Sequence, residues 1–133
     1  MIRRVNPTEH QIQSAIVKWA STATCEGING IKIGNFLIAI PNGGYRNKFE
    51  AKRLKEEGVK AGVSDLFLAL PAISTTYSLS RFGLWIEVKA TKGKLSDAQH
   101  GWISLMKTAN YEAVCVHSVD DGIKAIKDYL GMR

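Results

Sequence analysis

The chain has 133 residues, 45% of them hydrophobic and 23% charged. That length suits one domain with its own core, and the composition excludes disordered and collagen-like classes. Eighteen Lys and Arg against twelve Asp and Glu leave a net charge of +6, a hint of a polyanionic partner.

No apolar run approaches the roughly 18 residues that a membrane span requires. Met1 to Pro7 holds two arginines with no apolar stretch behind them, so no secretory leader is expected. Cys25 and Cys115 match no zinc spacing, and Cys115 lies in an apolar run that suits a buried thiol. An intracellular, reduced and cytoplasmic location is expected.

In chain order, Asn6-Pro7-Thr8-Glu9 reads as a helix start, with Asn6 as cap and Glu9 three residues on. Ile12, Ala15, Ile16, Trp19 and Ala20 follow at helical spacing, and counting back along that stripe places Glu9 on the core-facing side. Ser21 to Gly34 is small, polar and glycine-rich, hence loop. Phe36 to Ile40 predicts a short buried strand that enters a turn at Pro41-Asn42-Gly43-Gly44. Asn47 to Glu57 predicts an exposed helix stopped by Gly58.

Val63 to Leu70 is strand-like and ends at Pro71. Pro71 to Phe82, rich in Ser and Thr, reads as the most mobile loop. Gly83 to Ala90 is a second strong strand. Ser96-Asp97-Ala98-Gln99 has the capping-box pattern and opens a helix carrying Trp102, Leu105, Met106 and Ala109. Tyr111 to His117 is a strand, and Asp120 to Leu130 a helix stopped by Gly131. The class is α/β: a single domain over 1–133, with a mixed sheet covered by helices.

Chemistry concentrates on Leu84 to Lys89. Strand alternation puts Leu84, Ile86 and Val88 on one face and Trp85, Glu87 and Lys89 on the other, about 7 Å apart. An acid and a lysine two apart in an apolar strand must be paired, or bind something, if that face is buried. An amphipathic edge strand with two solvated charges is the bland alternative. Asp65, at the mouth of the apolar run from Leu66 to Leu70, is either a turn residue or a carboxylate that reaches the neighbouring strand. Asp65 and Glu87 would offer the hard oxygens that magnesium or manganese prefers. With Lys89 they would suit metal-assisted phosphodiester hydrolysis. Glu9 and Gln99 each have two readings, as site groups or as capping residues.

Six basic residues between positions 46 and 60 stand against three acids: Arg46, Lys48, Lys52, Arg53, Lys55 and Lys60. Lys92 and Lys94 follow the Glu87–Lys89 strand. Such groups would grip a nucleic-acid backbone without reading sequence, although a solvated helix face is the simpler account. Asn42-Gly43-Gly44 would let backbone approach a phosphate, or make a plain turn. His10, His100 and His117 form no metal-spaced pair, and Trp19, Trp85 and Trp102 suit core positions.

Six segments in order resemble the VRR-NUC domain, the virus-type replication-repair nucleases of the PD-(D/E)xK superfamily. They are Glu9 with Gln13 and Trp19; Ile40 to Gly44; Lys55 to Gly62; Val63 to Leu66; Gly83 to Lys89; and Gly93 to Gln99. The resemblance implies a restriction-endonuclease-like fold, a central mixed sheet flanked by helices. It also implies Mg2+ or Mn2+ held by Glu9, Asp65, Glu87 and the Val88 carbonyl, with Lys89 as catalytic lysine and Gln99 supporting the site. Ser64 stands where the superfamily motif often has proline, and the loop from Pro71 to Phe82 has no family signature. Small stand-alone members, often viral, are similar to dimers that act on four-way (Holliday) junctions, and a phage origin would fit. The leading expectation is a metal-dependent, structure-selective DNA endonuclease. Against it stand a non-catalytic basic module that binds branched or single-stranded DNA, and a partner-binding protein with merely solvated charges.

Overall fold

The computed structural model describes residues 5–41, 47–72 and 80–132. Its elements are α1 (Glu9–Ala20), β1 (Leu37–Ala39), α2 (Lys48–Glu56), β2 (Leu66–Leu68), β3 (Leu84–Val88), α3 (Asp97–Thr108), β4 (Glu112–Val116) and α4 (Val119–Leu130), with a 3-10 turn at Ile33–Asn35. The order is the one that hydrophobic periodicity predicts, and the strands are shorter than the apolar runs that contain them. Asn42, Gly43, Gly44 and Arg46, and most of the loop expected to be mobile, lie outside the described residues.

Helix α1 starts two residues later than its sequence suggests. Thr8, not Asn6, is the cap: its hydroxyl accepts the Gln11 N–H at 3.1 Å and Gln11 Oε1 accepts the Thr8 N–H at 2.9 Å. This reciprocal box satisfies two end donors at once. Glu9 is therefore the first residue of α1. Its side chain is 51% exposed, at the tip of the stripe formed by the buried Ile12, Ile16 and Ala20.

The sheet order is β1-β2-β3-β4. The first three strands are antiparallel neighbours, and β4 runs parallel to β3, as the β3–α3–β4 crossover demands. Helices α1 and α4 cover the face that carries Leu66, Leu68, Leu84, Ile86 and Val88, all buried with Ile12, Ile16, Ile126 and Tyr129 in one cluster. Gly122 lets α4 sit tightly on α1, because a Cβ there would overlap the Ile16 side chain. Each such buried aliphatic side chain contributes about 1.5–3 kcal/mol.

Helix α3 lies on the opposite face. Trp102 meets Trp85 edge-on at 5.2 Å, and Phe67 tilts onto Trp85 at 4.4 Å. This face is only half covered: no residue of α3 is fully buried, and Leu105 is 58% exposed. The tryptophans are packed groups, as expected, but each is half-buried.

The connections sort to two ends of the sheet. The Ile40 N–H donates to the Asp65 carbonyl at 2.8 Å, so the segment containing α2 leaves and re-enters at the end where β3 finishes. The connection from β2 to β3 belongs to the other end. There the Ala72 N–H donates to the Arg81 carbonyl, and the Tyr129 hydroxyl donates to the Leu70 carbonyl at 2.8 Å. Among the described residues, no helix is long and apolar enough to cross a membrane.

Gly62 couples the α2 segment to α3. It has φ +85°, and a Cβ would overlap the Ala98 carbonyl at the start of α3. Gly62→Ala should cost about 3 kcal/mol or more, from left-handed strain and collision together. Gly30→Ala, at φ +75° with open space around it, should cost about 1 kcal/mol. Urea midpoints of the two variants check this; equal losses would mean that the approach to α3 is not tight.

Candidate active site

Alternation along β3 buries Glu87, which is 3% exposed, and leaves Lys89 with 14% of its side chain exposed. A carboxylate this deep needs donors, and the fold supplies them from two directions. Gln99 Nε2 donates to Glu87 Oε1 at 2.8 Å. The same amide accepts the Ser96 N–H through Oε1 at 2.8 Å, so one side chain both closes the capping box and holds Glu87. Lys89 Nζ stands 3.9 Å from Glu87 Oε1 and 4.0 Å from Glu9 Oε1.

Asp65 reaches across from β2 to β3. Its Oδ2 accepts the Val88 N–H at 2.7 Å, which sets its negative charge close enough to act on Glu87. The turn-residue reading thus gives way to a cross-strand carboxylate. Glu87 Oε2 is buried with no hydrogen-bond partner. Burial, reinforced by the negative Asp65 and opposed by Lys89, pushes the Glu87 carboxyl up to about 8.

Asp65, Glu87, Lys89 and Gln99 therefore converge at one end of the sheet. Glu9 joins them from the first turn of α1, through Lys89 and through the reach of its charge to Glu87. Among the described residues, no three His, Cys, Asp or Glu side chains lie close enough to hold a metal as placed. The pair Asp65 and Glu87 does fit a hard cation: two oxygen donors, one of them a buried oxygen lacking any donor. Lys92 and Lys94 are exposed on the loop after β3, Lys48, Lys52, Arg53 and Lys55 on α2, and Lys60 on the loop before Asp65.

The match to the VRR-NUC domain model spans residues 7–120. The chain belongs to the VRR-NUC family. A solved structure described as a VRR_NUC domain protein superposes with a TM-score of 0.78 at 24% identity, over 96% of this chain and 91% of that one. That likeness shows the fold, a VRR-NUC four-stranded mixed sheet with helices on both faces. No curated protein matches the chain.

Three site neighbours escape sequence reading. Cys115 lies beside Glu87 in the parallel register, and its thiol is pushed up by burial and by the negative charge of Glu87. His117 Nε2 lies 3.0 Å from the Gly93 carbonyl, so it donates there and pins the loop that carries Lys92 and Lys94. Ser64, directly before Asp65, is 1% exposed with its hydroxyl unpartnered. The β3–β4 register would have revealed the first two, but periodicity does not encode register.

Proposed function

We propose that this VRR-NUC chain is a divalent-metal-dependent DNA endonuclease that cuts branched DNA, four-way junctions above all, as a homodimer. The observation that carries the reading is Glu87: a carboxyl buried beside Asp65, with one oxygen fixed by Gln99 and the other left without a donor.

Asp65, Glu87 and the Val88 carbonyl would hold Mg2+ or Mn2+, and Glu9 would complete the set from α1. The ion would supply Lewis acidity toward the scissile phosphate and acidify its water. The chain's own residues do the rest. Gln99 holds Glu87 in one rotamer. Asp65 is oriented by the Val88 N–H. The Lys89 ammonium, shielded from solvent, carries positive charge to where the phosphate becomes more negative. Lys92, Lys94 and the basic residues of α2 grip backbone phosphates. In a twofold dimer, two such sites would nick a junction symmetrically.

The test incubates purified protein with a labelled four-way junction and, separately, a linear duplex, in Mg2+, Mn2+ or chelator, with Glu87→Ala alongside. Metal-dependent paired nicks in the junction alone, from a protein of dimer mass, are expected. Cutting of both substrates would remove the junction preference. Salt-sensitive binding with no scission in any metal would replace the nuclease by a non-catalytic DNA-binding module.

A further inference from the structure

Helix α2 presents an aromatic side chain to solvent. Phe49 is 79% exposed, although burying a phenylalanine is among the more favourable choices open to a chain. It is not the residue that α2 turns inward. That residue is Leu54, half-buried, five positions on and about 140° round the helix. No residue of α2 is fully buried.

The surroundings of Phe49 say what it meets. Lys52 and Arg53, three and four residues on, flank it on the helix surface, and Lys48 precedes it. Lys48 and Lys52 have no ion-pair partner among the described residues. Arg53 stands 3.7 Å from Glu57, both ends more than half exposed, a surface pair that a phosphate displaces readily. An apolar anchor for a protein partner sits among apolar neighbours; this one has Lys48, Lys52 and Arg53 beside it against the single acid Glu50. Phosphates beside a planar, apolar face describe a nucleotide with its base exposed. The α2 connection also leaves and re-enters the sheet at the end where Asp65 and Glu87 meet.

We infer that Phe49 stacks on an unpaired or unstacked base of the DNA substrate while Lys48, Lys52 and Arg53 hold adjacent phosphates. This rests on the DNA reading of the active site and deepens it. A perfect duplex hides its base faces, whereas a branch point exposes them, so Phe49 supplies preference for branched over linear DNA.

The experiment measures binding of the full chain in chelator, so that nothing is cut, to a four-way junction carrying 2-aminopurine at the branch and to a linear duplex of equal length. Wild type quenches the branch-point fluorescence. Phe49→Ala should lose the quench and bind the junction about tenfold more weakly, with duplex affinity within twofold. Phe49→Trp should restore both. Lys52→Ala should weaken both DNAs alike and flatten the salt dependence. Circular dichroism verifies that each variant is folded. A Phe49→Ala protein that keeps the quench, or weakens on both DNAs equally, overturns the inference while leaving the nuclease reading intact. A change from dimer to monomer mass with DNA binding unchanged overturns it in favour of a self-association contact. Wild type that binds neither DNA removes the nuclease reading itself.

Discussion

Glu87→Gln should abolish cleavage and at the same time stabilise the metal-free protein. The two effects share one cause. Folding raises the Glu87 carboxyl from its ordinary value of 4.5 to about 8. Between those pH values the folded chain keeps a proton that the unfolded chain has released, so stability falls as pH rises through that window. Glutamine cannot ionise, and its amide oxygen still accepts from Gln99. At pH 5 the variant and wild type should melt within a few degrees of each other. At pH 8 the variant should be more stable by several kcal/mol, at about 1.4 kcal/mol per pH unit across the window, which is on the order of 10 °C or more in melting temperature for a chain of this size. Cleavage should fall on the order of a thousandfold or more. A wild-type melting temperature that is flat from pH 5 to 8 would remove the raised carboxyl, and a variant that cuts within tenfold of wild type would remove its catalytic role.

That trade of stability for chemistry explains why the site was partly legible in the sequence. Glu87 and Lys89 stand out because they break the apolar run from Leu84 to Val88, and a buried charge is the exception a strand tolerates only for a reason. Asp65 is legible because it abuts another apolar run. The helix starts at Ser96 and Asn47 are local chemistry, carried by a side chain and the N–H three residues on, so they appear where the residues predict. The start of α1 is local too, yet two overlapping cap patterns compete there, and Thr8 with Gln11 closes both bonds of its box.

What stays hidden is non-local. That Asp65 receives the Val88 N–H, that Cys115 stands beside Glu87, and that His117 holds the Lys92–Lys94 loop all depend on strand register across 23 to 28 residues of chain. Alternation says which side chains share a face of one strand, and nothing about which strand lies next to it. The half-covered face behind Trp85 is equally unreadable. Trp102, Leu105 and Met106 have the spacing of a core stripe, yet Trp102 packs against Trp85 while Leu105 stands in solvent.

Lys89→Met separates two roles that a lysine in this place could have, holding the acids together or assisting the reaction. Its ammonium is the cation standing between Glu9 and Glu87 at 4.0 and 3.9 Å. Methionine fills the volume of the stem without the charge. Cleavage should fall on the order of a hundred- to ten-thousandfold, with junction affinity in chelator unchanged within about twofold. Removal of the cation favours a proton on Glu87 and a metal ion beside it alike, but the metal carries two charges and the proton one, so the metal gains more. Mg2+ affinity, measured by calorimetry without DNA, should therefore be unchanged or tighter. Lys89→Arg should not rescue, because the guanidinium is broader, keeps its proton at any working pH and has its donors in a fixed plane. If Lys89→Met loses Mg2+ affinity in proportion to its rate, the lysine acts by organising the carboxylates. If the rate falls alone, it acts on the phosphate.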